Sequence, residues 1–155
     1  LRLEAGGFVI SGTQTSGKPK LRADDYALVE GWNIAANQVN AIGPSKPSSE
    51  ALTHAALYDF SPGIGCVMHG HAPLIWRRWQ ALDLPCTDPG AAYGTPEMAH
   101  SVWALLESGD LGSAGCFAMG GHEDGIVAYG ADASAAGQAL VALFARALQA
   151  EATAI

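Results

Sequence analysis

Positive charge is scarce in this chain of 155 residues: 8 Lys and Arg stand against 15 Asp and Glu, a formal net charge of −7. Nucleic acids and anionic membranes want a basic face, so neither is expected as a partner. Long apolar runs are lacking too. No stretch approaches the ~18 residues of a membrane-spanning helix, and no signal-peptide pattern opens the chain. Cysteine is sparse: Cys66, Cys86 and Cys116 are odd in number, far apart and form no CxxC. That argues against a disulfide framework or a thiolate zinc knot, and for a reducing, cytoplasmic setting with buried thiols. Nor is there a GxGxxG after a strand, a P-loop or a nucleophile elbow.

Apolar residues are plentiful at 49%, and charged ones amount to only 15%. Such a chain buries a core rather than staying disordered. Its length predicts a single domain over residues 1–155. Because Leu1 is not a methionine and the chain soon enters the apolar Phe8–Ile10, an N-terminal part is expected to be missing.

The apolar pattern predicts strands at Phe8–Ser11, Tyr26–Val29 and Gln38–Ile42, the last two joined in a hairpin near Ala35–Asn37. A helix is expected from Ser48 toward Phe60, stopped by Ser61, Pro62 and Gly63. Ile64–Met68 reads as a strand entering His69, Gly70 and His71, and Pro73–Leu82 as a helix. Thr95, Pro96 and Glu97 open another helix, with a capping hydroxyl, a first-turn proline and an acid at the positive end of the dipole. Strands at Gly115–Met119 and Ile126–Tyr129 flank a glycine-rich loop. A last helix from about Asp132 to Ala150 shows one face through Ala136, Leu140, Leu143, Phe144 and Ala147. The fold class expected is α/β, with a mixed, largely antiparallel central sheet and helices on its faces.

Chemistry concentrates in few residues. His69 and His71 stand two apart at a strand end, where side chains project to one side roughly 6–7 Å apart. Two such imidazoles can converge on one ion, or remain ordinary surface histidines. His122, among Gly120, Gly121 and Gly125, can supply a third ligand, and three neutral imidazoles suit an open Zn²⁺ site. Glu123 and Asp124 beside it are either orienting partners or exposed loop acids. Pro47, Ser48, Ser49 and Glu50 combine two hydroxyls with a helix start, which is either an anion site or a plain N-cap. Thr13, Thr15, Ser16 and Gly17 can cradle a phosphate or serve as an exposed turn. Glu50 is placed to act as a general base if the helix folds back toward His69. His54, one helical turn past Glu50, reads as a hydrogen-bonded structural residue, His100 as an ordinary helical one, and Tyr93 as part of the core.

Taken together, Pro47-Ser48-Ser49-Glu50, His54, Tyr58 and Val67–His71 resemble the class II aldolase/adducin family. The likeness continues through Gly94–Glu97 and Gly121–Ala128 and covers about Phe8 to Leu148. It implies a three-layer α/β/α fold and a zinc site of His69, His71 and His122, a ligand set that other divalent transition metals also accept. It further implies an acid/base role for Glu50, phosphate binding by Ser48, Ser49, Thr15 and Gly17, and a homotetramer. The family's upstream Gly-Asn segment has no counterpart here, and Glu123 and Asp124 separate the late histidine from its glycine.

The activity so implied is that of a zinc-dependent lyase. It would cleave or form a C–C bond in a small hydroxy-carbonyl substrate, a sugar phosphate among them, through a metal-stabilised enediolate. A related epimerase or dehydratase, and a non-catalytic adducin-like binding module, are the alternatives.

Overall fold

The computed structural model describes residues 1–109 and 111–152. Its first half is an antiparallel meander of β1 (Phe8–Ser11), β2 (Tyr26–Asn33) and β3 (Gln38–Ile42). Phe8 faces Val29 and Ser11 faces Tyr26 across β1 and β2, so the buried side chains Phe8, Ile10, Ala27 and Val29 point one way. Alternation along a pleated strand gives this face directly. The β2–β3 connection closes at Asn37, which takes the left-handed conformation (φ 52°) that asparagine tolerates.

The second half builds around β4 (Cys66–His71), β5 (Gly115–Ala118) and β6 (Gly125–Gly130), in the order β4-β6-β5 and all antiparallel. β6 is central and buried at all six positions. Its side chains split by parity. Val127 and Tyr129 join Phe117, α1 (Ala51–Phe60) and α3 (Pro96–Glu107) in one apolar cluster. Ile126 and Ala128 join Ile75, Leu143 and Ala147 in another, under α2 (Pro73–Trp76) and α4 (Ala133–Ala152). The molecule is thus a mixed α/β structure with antiparallel sheets. No helix among the described residues is long and apolar enough to cross a membrane.

Several expectations need correction. The helix after Pro47 starts at Ala51, with Glu50 as its N-cap residue. Pro73–Leu82 is helical only to Trp76. Beyond it the chain tightens into turns with Asp83 at φ 46°, which lets both Leu82 and Leu84 enter the apolar cluster. Phe144 is 46% exposed, because the inward face of α4 runs through Ala136, Leu143 and Ala147, and Phe144 lies about 100° round from Leu143. Thr95 caps α3 as expected, its hydroxyl oxygen accepting the Met98 N–H at 3.3 Å.

Phe117, fully buried between β6 and the α1–α3 pair, is the sharpest test of this core. Phe117→Ala is expected to lower unfolding free energy by about 3–5 kcal/mol. A urea midpoint equal to wild type would contradict the placement.

Candidate metal centre and its cleft

The pairing of β4 with β6 sets His71 opposite Gly125 and His69 opposite Val127. The turn that leads into β6 therefore arrives beside the histidine end of β4. Within it, His122 N–H donates to Met119 O at 3.2 Å and Gly125 N–H to His122 O at 2.9 Å. These bonds fold the loop back on itself and present the imidazole to β4. The turn also presses on the loop that precedes α3. A Cβ on Gly121 would sit 1.7 Å from the carbonyl oxygen of Ala91, so only glycine allows the approach.

Three rings meet there. His69 and His71 centroids lie 5.3 Å apart, His69 and His122 5.1 Å, and His71 and His122 4.8 Å. The Nε2 atoms of His71 and His122 are 3.0 Å apart. One ligand atom from each of the three falls within 4.8 Å of the others, so the group can hold a metal ion. His69 Nε2 is buried and has no hydrogen-bond partner, which suits an atom waiting for a ligand rather than one satisfied by the fold.

Electrostatics favour the neutral, ligating form. Burial, and then the neighbouring His122 and His71, push the His69 pKa down to about 4. Burial and His71 also lower that of His122. A cation among three imidazoles replaces mutual repulsion by attraction, and neutral imidazole is the form a transition metal takes.

Glu50 stands against this cluster. Its side chain is only 1% exposed, and Oε1 lies 4.0 Å from His122 Nδ1. Oε2 accepts the Thr53 hydroxyl at 2.8 Å, whereas Oε1 has no partner. Burial raises the carboxyl pKa, and the Thr53 bond offsets only part of that.

A cleft of ≈ 400 Å³ joins the metal group to the loop from Gly12 to Lys18, with Ser48, Ser49, Glu50 and Thr15 in its wall. Gly17 lies in that loop but does not line the cleft. Lys18 pairs with Asp25 rather than facing the cleft unengaged, and this pairing, with the Arg22 N–H, holds the Asp25 carboxyl below its usual range. Beside Lys18, the loop brings Thr13, Thr15 and Ser16 to the cleft wall. The Thr15 hydroxyl itself donates to Gly12 O at 2.9 Å.

Other expectations fare differently. His54 is buried, but its Nδ1 has no partner, and its ring stacks on Phe8 at 6.5 Å. His100 is exposed on α3 against Trp103. Tyr93 is not part of the core: it is 52% exposed, with its ring 4.4 Å from that of His122. Thr53 was legible as the residue three past Glu50 on one helix face. The Tyr93 contact had no sequence signal, because it joins two irregular loops.

Residues 1–76 match the family model described as Class II Aldolase and Adducin N-terminal domain. That match bears out the resemblance to the class II aldolase/adducin family; it spans Ser48, Ser49, Glu50, His69 and His71, and His122 lies beyond it. Two curated proteins are similar over a shorter stretch. They are methylthioribulose-1-phosphate dehydratases of Stenotrophomonas maltophilia, strains K279a and R551-3. Each is 41% identical over 61 residues, which is 38% of this chain and 26% of the relative. The alignment thus spans about a quarter of those relatives' length.

Two outcomes follow from the geometry. Gly121→Ala forces the His122 loop off the Ala91 carbonyl, so bound metal per chain should fall well below wild type; full retention would mean the loop has room to yield. The second concerns pH. His54, held near 3 mainly by burial, and His69, near 4, stay neutral in the folded chain below their usual 6.5. The unfolded chain takes up those protons and the folded one does not, so stability present above pH ~6.5 is lost as the pH falls toward 4 and then 3. Glu50 works in the opposite sense, but it is one group against several. The urea midpoint of the metal-free protein should drop between pH 7 and pH 5, and an unchanged or higher midpoint would contradict it.

Proposed function

We propose that this chain is a metal-dependent lyase of the class II aldolase kind. His69, His71 and His122 would hold a divalent transition metal, zinc first among them, and Glu50 would move the proton. The observation that carries this reading is the convergence of three imidazoles, one with an orphaned buried Nε2, beside a buried carboxyl with an orphaned Oε1. Bound there, the metal supplies a Lewis acid that polarises a carbonyl oxygen. The remaining work falls to the chain itself. Glu50, its Oε2 tied to Thr53, has Oε1 free to give or take a proton, and its raised pKa brings it toward working pH. Ser48, Ser49, Thr15 and the loop through Gly17 bind the phosphate end of a small hydroxy-carbonyl substrate.

Proton transfer next to a carbonyl is the step that carbon–carbon cleavage and dehydration share. Dehydration is the second reading, favoured by the activity named for the two relatives. On the same proposal, residues 1–155 form one domain with helices on both faces of its strands, working in the cytoplasm as a homo-oligomer, a tetramer by family resemblance.

Elemental mass spectrometry on wild type beside His71→Ala tests the metal. About one zinc per chain, lost in the variant, is expected, and no divalent metal even after zinc add-back would sink the reading. Glu50→Gln should keep the metal and lose at least about 10²-fold in turnover, the usual worth of a general acid–base. Assays with hydroxy-aldehyde acceptors and with methylthioribulose 1-phosphate separate the two reactions.

A further inference from the structure

A metal-ligating histidine normally has its ring fixed by a hydrogen bond from its other nitrogen to a carboxylate, a carbonyl or water. His122 has none. Its Nδ1 is buried without a partner, and the carboxylate oxygen Glu50 Oε1 stands off at 4.0 Å. The backbone bonds of the turn place its Cα, and the ring lies close over Gly125, where a Cβ would fall 2.5 Å from Cδ2, but no hydrogen bond fixes its Nδ1. Packing, not a hydrogen bond from Nδ1, therefore sets the plane in which Nε2 meets His71.

Tyr93 is the group in position to do so. Its ring meets that of His122 at 85°, with the centroids 4.4 Å apart. Edge-to-face packing at this separation is attractive, because the positive rim of one ring meets the negative face of the other. Tyr93 is 52% exposed, so burial of its own surface does not explain its place. Its backbone, by contrast, is pinned on both sides. Before it, the Ala91 carbonyl abuts Gly121, which locks the Tyr93 loop to the His122 loop. After it, Gly94 takes φ 69° over the start of α1, where a Cβ would lie 3.1 Å from Ser49 O, and the Thr95 hydroxyl donates to Ala92 O at 2.7 Å. A rigid loop carrying an exposed aromatic ring against one imidazole is the arrangement of a brace.

We propose that Tyr93 is the positioning residue of the metal group: its ring, packed edge-to-face on His122, holds that imidazole in the orientation in which it ligates. The inference rests on His69, His71 and His122 binding a metal, and it assigns the role to the ring rather than to the hydroxyl.

The test is zinc affinity of the full chain by competition with a chromophoric chelator, alongside the thermal midpoint of the metal-free protein. Tyr93→Ala should weaken zinc binding by about 10-fold or more, the size of effect known for groups that orient a ligand, while the metal-free midpoint stays close to wild type. Tyr93→Phe should restore wild-type affinity to within about twofold, since it keeps the ring. Should Tyr93→Ala fail to fold, Tyr93→Leu carries the same expectation with bulk but no ring. Wild-type affinity in Tyr93→Ala or Tyr93→Leu, with His122→Ala impaired, overturns the brace and leaves the metal centre standing. Equal losses in Tyr93→Phe and Tyr93→Ala overturn it as well, because the hydroxyl would then be what matters. If wild type binds no zinc, or His122→Ala binds it undiminished, the metal reading itself fails and the brace falls with it.

Discussion

The antiparallel ladder between β4 and β6 is the constraint on which the rest depends. Its register puts His71 beside Gly125 and His69 beside Val127, so the turn feeding β6 must deliver His122 to the same corner. A slip of one residue would send His69 and His71 together to the opposite face and part them from His122. What prevents the slip is burial. β6 is enclosed at every position, with Val127 and Tyr129 committed to one apolar cluster and Ile126 and Ala128 to the other. The cores on either side of the strand thereby hold the three histidines in register.

Placing the site at the edge of a core has electrostatic consequences. Desolvation keeps His69 and His122 neutral and works against charge on Glu50. Each shift has a structural cost, since polar atoms such as Glu50 Oε1, His69 Nε2 and His122 Nδ1 are buried without partners. Buried polar atoms without partners cost stability, and three of those among the described residues lie at this corner.

The cleft follows the same logic at lower density. Its wall is rich in hydroxyls, Lys18 lines it while paired with Asp25, and the left-handed Gln14 turns the loop.

Much of this was legible in the chain. Apolar runs marked β1 and β6. Thr95-Pro96-Glu97 marked α3, and the HxH pair together with a glycine-flanked third histidine marked the metal group. These are local signals, set by side-chain period and by backbone freedom, and they survive in any tertiary setting. The early end of α2 and the outward turn of Phe144 were not legible, because they depend on which apolar face the rest of the molecule covers. The same holds for the unpartnered Nδ1 of His54, the diversion of Lys18 to Asp25 and the ring of Tyr93 on His122. By itself the sequence determined which residue types could do chemistry and on which elements they ride. Only the tertiary structure decided how far apart those side chains stand, because that distance is fixed by strand register and loop packing between segments remote along the chain.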